Sequence, residues 1–236
     1  MTESTNPWAL TGRILFEDNH LIIVNKLVSE IVQEDKTGDE PLSETVKQYI
    51  KEKKKKPGKV FLGVIHRLDR PVSGAVAFAR TDKALSRMNY LVKNREVHKI
   101  YWAIVKNPPS PEKGTLEHYI VRNEKQNKSY PYPKEVPNSK KAVLNYQLIA
   151  SSNDYHLIEV ELITGRHHQI RAQLAVIGCP IKGDLKYGFP RSNPDASISL
   201  HARKLSFEHP VSHEMISVVA NPPKDALWDF FLKTVS

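Results

Sequence analysis

The stretch VFLGVIHRLDRPVSGAVAFAR, residues 60–80, decides how this chain is read. Its ends, VFLGVI (60–65) and GAVAFAR (74–80), are apolar and β-prone, and both read as buried strands. Between them, HRLDRPVSG (66–74) sets one carboxylate, Asp69, between Arg67 and Arg70, with His66 just before and Pro71, Ser73 and Gly74 closing a turn. An aspartate ahead of a proline-containing turn commonly serves the turn itself, paired with a neighbouring arginine. The alternative is a reactive carboxylate facing a polyanion. Its place after a strand favours this, because loops at strand ends present catalytic side chains. On these residues alone both readings stand.

Upstream, RILFEDNHLIIVNK (13–26) holds two β-rich runs about Asp18-Asn19, the pattern of a hairpin. EPLSETVKQYIKEK (40–53) puts Leu42, Val46, Tyr49 and Ile50 on one helical face, with Pro41 suited to the first turn and Pro57-Gly58 stopping the helix. Downstream, Thr81 caps DKALSRMNYLVKN, where Ala84, Leu85, Met88, Leu91 and Val92 keep helical spacing. HKIYWAIV (98–105), TLEHYIV (115–121), AVLNYQLIA (142–150) and YHLIEVELIT (155–164) read as strands, and the polar segment 123–141 as a loop. RHHQIRAQLAVIG (166–178) reads as a helix stopped by Gly178. SISLHARKLSFEH (197–209) and MISVVA (215–220) are strand-like, and KDALWDFFLKT (224–234) is a short amphipathic helix. Many strands, several joined as hairpins, with about four dispersed helices, argue for an α+β fold: a largely antiparallel mixed sheet with flanking helices. The loops read as insertions within one domain covering 1–236.

The 236 residues suffice for a real core, and 40% hydrophobic with 26% charged residues is ordinary globular composition. No apolar run approaches the ~20 residues of a membrane helix. MTESTNPWAL lacks a secretory pattern, and the single cysteine, Cys179, excludes an internal disulfide, so a cytoplasmic location is expected. Lys and Arg total 35 against 26 Asp and Glu, a net charge of +9 that favours an acidic partner such as nucleic acid.

Two further segments hold candidate chemistry. In KIYWAIV, Lys99 and Tyr101 face one side of a strand and Ile100 and Trp102 the other. Tyr101 is either a packed strand aromatic or a reactive-site ring. In LITGRHHQIRAQLAVIGCPIKGDLKYG (162–188), Gly165 and Arg166 sit between a strand and a helix start able to hold an anion, while His167 and Arg171 share a helical face. No HExxH pattern and no carboxylate or cysteine at ligand spacing joins His167 and His168, so no metal site is expected. Lys53 to Lys56 read either as a solvated helix end or as a grip on phosphates.

Taken together and in order, these segments resemble the RluA-type family of RNA pseudouridine synthases. HRLDRPVSG is similar to that family's catalytic-aspartate motif, KIYWAIV to its K-x-Y-x-A-x-V strand, and LITGRHHQIRAQLAVIGCPIKGD to its TGR-x-HQIR segment. LIIVNK (21–26) and LHARKLSFEHP (200–210) match its first and late strands, so the motif-bearing core runs from about 13 to about 223. The chain departs from the family at Lys26-Leu27, where Lys-Pro is usual, and at Pro71. No S4 module of the kind that many relatives carry is expected, so the resemblance leaves RNA selection to the catalytic domain or a partner.

The resemblance implies an isomerase that detaches a uracil in ribosomal or transfer RNA, rotates it and rejoins it through carbon. Nothing is gained or lost in that reaction, so it implies no cofactor. It implies Asp69 as the catalytic carboxylate, Arg171 as its ion-pair partner, and Tyr101 as the ring that stacks on the base and handles a proton. It implies Arg67 as the residue that holds the flipped state, with His66, Arg70, Lys99, Arg166 and His168 as RNA contacts. RNA is the expected partner, with no membrane and no obligatory protein partner. Two other classes stay open: an RNA-binding or assembly protein without turnover, and a hydrolase pairing Asp69 with a second carboxylate such as Asp184.

Overall fold

Asp18 forms the first hairpin turn as its residue type predicts: Oδ1 accepts the N–H groups of His20 at 2.8 Å and Leu21 at 2.6 Å. This computed structural model describes residues 7–55 and 57–235. Residues 1–6, where most of the stretch scanned for a signal lies, and Lys56 of the lysine run fall outside the described residues. The chain divides into two units, residues 1–97 with 205–221, and residues 98–204 with 222–236.

The first unit contains β1 (Ile14–Glu17), β2 (Leu21–Lys26), α1 (Leu42–Lys53), β3 (Gly63–Val64), β4 (Ser73–Ala79), α2 (Asp82–Lys93), the C-terminal part of β10 (Leu200–Glu208) and β11 (Met215–Val219). β2 pairs antiparallel with β1 and β4, and β3 pairs antiparallel with β4. All seven residues of β4 are buried. Its Ala75, Ala77 and Ala79 share a core with Leu21 and Ile23 of β2 and with Ala84 and Met88 of α2. Thr81 caps α2 as expected, accepting the Ala84 N–H. The expected strand 60–65 shrinks to Gly63–Val64, and Phe61 is 45% exposed. The ladder ends there because Gly63 faces Ala79, the last residue of β4, and the Arg80 N–H already donates to His20 O.

The second unit contains β5 (His98–Val105), β6 (Lys113–Asn123), β7 (Lys128–Tyr132), β8 (Lys140–Ser151), β9 (His156–Leu162), α3 (Gln169–Val176), the N-terminal part of β10 and α4 (Ala226–Thr234). The antiparallel order is β5-β9-β8-β6-β7. Trp228 and Phe231 of α4 pack on Trp102, Ile104 and Leu157, and Asp225 caps the helix through the Leu227 and Trp228 N–H groups. The fold is α+β, and every strand pair named above is antiparallel.

Two expectations are corrected here. The polar segment 123–141 contains strand β7: Lys128, Tyr130 and Tyr132 alternate with Ser129 and Pro131, and β6 supplies the partner. Pro131 is tolerated because β7 is an edge. Its outward N–H at Ser129 is taken by the Tyr187 hydroxyl at 2.8 Å, and in the turn just before it the Asn127 N–H donates to Glu124 O. The helix expected from residue 166 begins only at Gln169. The Gln169 side chain reaches back to accept from the Arg166 N–H at 3.0 Å and the Thr164 hydroxyl at 2.8 Å, which folds 164–168 into a turn. His168 ends that turn in the left-handed region, φ 53°, ψ 23°, an uncommon conformation for a side chain with a Cβ.

Candidate active site

In the first unit Asp69 lies on the loop between β3 and β4, and three features fix that loop. The Asp69 carbonyl accepts the Val72 N–H at 3.0 Å, closing the turn. Leu68 is buried beside it. Lys26, at the end of β2 and fully buried, donates from Nζ to Val72 O at 2.6 Å, Leu27 O at 2.9 Å and Arg70 O at 3.2 Å. An ammonium has three protons, and here each has a carbonyl. Burial depresses the Lys26 amine to about 8, with Glu30 and Asp69 partly offsetting that loss. Gly74, opposite Lys26 in the ladder, adopts φ 121°, which a residue with a Cβ rarely takes.

The other expected residues of this unit divide. Arg67 is exposed and, among the described residues, makes no hydrogen bond or ion pair, so it is available to a ligand. Arg70 instead grips the loop before α1, donating to Asp39 at 2.6 Å and to the Thr37 hydroxyl at 2.7 Å. His66 turns inward, its Nε2 accepting the Ala77 N–H of β4 at 3.2 Å. Of the lysine run, Lys53 pairs with Glu17 at 2.7 Å and so holds α1 to the first hairpin.

The second unit carries Tyr101 and Arg171. Tyr101 is buried in β5 opposite Val160 of β9. Lys99, two residues earlier on the same face, has its amine depressed by burial. Arg171 projects from α3 and is bound bidentately by Asp184, with Nε–Oδ2 at 2.7 Å and Nη2–Oδ1 at 2.9 Å. Both groups are buried, at 5% and 1% exposure. The bidentate carboxylate is that of Asp184, which is therefore committed and is not offered as a second hydrolytic acid. Gly183 makes this possible: at φ 87°, a Cβ would lie 2.7 Å from Ser197 O.

Tyr187 organises what surrounds Arg171. The guanidinium carbon lies 5.1 Å from its ring centroid. The Tyr187 hydroxyl accepts from Ser129, so its own proton is directed at His168 Nδ1, 3.0 Å away. His168 therefore acts as an acceptor, and its ring stacks on His167 at 3.8 Å. Burial, reinforced by the Arg171 cation, drives His168 down to about 2. Arg166 is exposed, and its Nε donates to Lys141 O at 3.0 Å.

The sign of the His168 shift gives a test. Between about pH 2 and 6.5 the unfolded chain binds a proton here that the folded chain refuses, so stability falls as pH drops below 6.5. His168→Asn tolerates the left-handed backbone and still accepts from Tyr187. Urea unfolding from pH 4 to 5.5 is expected to show a pH slope shallower by about 1.4 kcal/mol per unit, one proton's worth. An unchanged slope would mean that His168 is charged in the folded protein.

Sequence reasoning missed Lys26 and Asp184 as builders of the site. Lys26 was visible only as the lysine closing the family's first strand, and Asp184 only as a possible second acid of a hydrolase.

Comparison with known proteins gives the family. The model of the RNA pseudouridylate synthase family matches residues 20–176. An uncharacterized RNA pseudouridine synthase of Bacillus subtilis (strain 168), YhcT, is 33% identical over 90% of this chain and 69% of its own length. The ribosomal large subunit pseudouridine synthase D of Zymomonas mobilis is 30% identical over 93% of this chain and 72% of its own length. An uncharacterized RNA pseudouridine synthase of Chloroflexus aurantiacus is 38% identical over 71% of this chain and 52% of its own length. The structure of human RNA pseudouridylate synthase domain containing 4 superposes with a TM-score of 0.78 at 25% identity, covering 97% of this chain and 95% of that one. With the aspartate loop, the tyrosine strand and the buried arginine each on the element the motifs require, the chain belongs to the RluA-type family of RNA pseudouridine synthases.

Proposed function

We propose that this protein isomerises a specific uridine of structured RNA to pseudouridine, with Asp69 as the carboxylate that acts at the sugar or base. The observation that carries this is the loop of Asp69 itself, whose carbonyls are held by a fully buried lysine in a chain of this family. Reactive carboxylates need such aim, because small misplacements are costly in rate. Tyr101 stacks on the extruded base, and Arg171 brings a buried positive charge to the reaction. Arg67 holds the vacated space in the RNA, as a planar cation suits. Arg166 and Lys99 contact the RNA. His66, Arg70 and His168 serve instead as positioning residues, through the hydrogen bonds described above.

We take residues 1–236 as one catalytic domain, since the family match at 20–176 runs through both units. The buried free thiol of Cys179 suits a reducing cytoplasm, and among the described residues no helix is long and apolar enough to cross a membrane. The name of the Zymomonas mobilis relative makes large-subunit ribosomal RNA the first substrate to try, with transfer RNA second.

The test is a site-by-site pseudouridine map of unmodified ribosomal and transfer RNA after incubation with the purified protein and nothing else. One new site is expected. No site on either RNA would overturn the proposal.

A further inference from the structure

We propose that Glu30 is a positioning residue for the reaction: it supports the charge of the buried Lys26 that holds the loop of Asp69. This rests on Asp69 being the reactive carboxylate, and it gives a role in that chemistry to a residue outside the loop. Glu30 follows β2 in the first unit. Its Oε1 accepts from Arg13 Nη1 at 2.9 Å, and its Oε2 accepts from Arg13 Nη2 at 2.5 Å and from the Leu27 N–H at 2.8 Å. Leu27 stands where the family usually has proline, and that N–H is one a proline lacks. Arg13 Nε donates to Asn25 O at 3.0 Å, so the carboxylate and its arginine are tied to the chain on both sides of Lys26.

Among the described residues, the Lys26 ammonium bonds only carbonyls, those of Leu27, Arg70 and Val72. Carbonyl dipoles satisfy its protons without cancelling its charge, and a charge taken out of water is costly unless a counter-charge faces it. Four charged groups face Lys26. Glu30 supports its charge most and Asp69 next, while Arg13 and Arg70 oppose it. Both arginines are themselves engaged, Arg13 by Glu30 and Arg70 by Asp39. Burial outweighs this support and leaves the amine at about 8, so Glu30 is what keeps Lys26 protonated at neutral pH. A neutral amine has two protons and a lone pair. It serves two of the three carbonyls and turns its lone pair on the third. Deprotonation of Lys26 therefore loosens the loop that aims Asp69, and rate depends on that aim. The same proton acts in the opposite sense on folding. The unfolded chain keeps it up to about 10.5 and the folded chain gives it up near 8, so Lys26 by itself adds stability as pH rises between the two. A fall in activity over that range does not track unfolding at Lys26.

The test measures kcat and KM on an unmodified large-subunit ribosomal RNA transcript from about pH 6.5 to about 9.5, beside the NMR signals of carbon-13-labelled lysines in the full chain. In the unaltered chain kcat is expected to fall with a midpoint near 8, with one lysine signal titrating in step. That signal should persist in Lys99→Gln, which sets aside the other lysine whose amine burial depresses. In Glu30→Gln both midpoints are expected to move down by about one unit, as loss of a nearby opposite charge implies, with KM unchanged. Glu30→Asp keeps the charge and should keep both midpoints. Arg13→Gln removes an opposing cation and should not lower them. If Glu30→Gln melts early, Arg13→Met with Glu30→Gln removes the pair together and carries the test, with a smaller downward move because Glu30 outweighs Arg13. Equal downward moves in Arg13→Gln and Glu30→Gln would reduce the pair to a strut and overturn the proposal. An unmoved kcat midpoint in Glu30→Gln would overturn it too, placing the alkaline fall on the uracil or on Lys99. A lysine signal that moves in a chain that never forms pseudouridine would overturn the proposed function and not the tie between Glu30 and Lys26.

Discussion

Asp69→Asn is expected to fold, to bind RNA as the unaltered chain does, and to form no detectable pseudouridine. The substitution keeps the side-chain shape and leaves untouched the backbone bond from Val72 N–H to Asp69 O and the three carbonyls on Lys26. What it removes is the carboxylate's capacity to attack or to take a proton. A loss on the order of 10⁴-fold or more is expected, at or beyond what one positioned acid–base group usually contributes. Mass spectrometry of digested RNA reads the product, and anisotropy reads the binding. Turnover retained in the variant would remove Asp69 from the chemistry. A collapsed melting transition would show that the residue's role lies in the turn.

The second large effect is expected at Asp184. Asp184→Ala takes the bidentate carboxylate from a guanidinium that is 5% exposed. Breaking a buried pair from one side costs about 3–5 kcal/mol. A marginally stable domain of this size retains little beyond that, so the variant is expected to unfold at markedly lower urea and to lose product formation. Replacing both partners, Arg171→Met with Asp184→Leu, separates structure from chemistry. Apolar side chains of similar volume remove both charges together, so the double variant should recover most of the stability while remaining inactive. If it recovers activity as well, Arg171 has no part in the reaction. If it recovers no stability, the pair is not what Asp184→Ala disturbs.

Much of this was legible in the sequence wherever a local rule decides the outcome. Alternation and helical spacing located most strands and all four helices, because one face of each is buried. The caps at Thr81 and the turn at Asp18 follow from side chains bonding their own neighbours. Local rules failed where a distant partner decides. Strand β7 hides in a polar segment because its burial comes from α3 and from Tyr187, not from its own composition. The start of α3 shifted because Gln169 satisfies the turn before it. Arg70 adjoins Asp69 in sequence, yet Thr37 and Asp39 claim its guanidinium. Lys26 finds its two further acceptors 44 and 46 residues away, and no periodicity encodes such a distance.

The edge of β7 bears on how the protein behaves among copies of itself. Self-propagating sheets grow by one chain's N–H groups meeting another's carbonyls along an open strand. Along β7 that row is closed: position 127 bonds within its turn, position 129 is spent on Tyr187, and position 131 is a proline. A partner lying along this hairpin therefore has no main-chain donors to zip onto at these positions and must engage through side chains. The hairpin can stay exposed to a large polyanion without becoming the seed of a fibre.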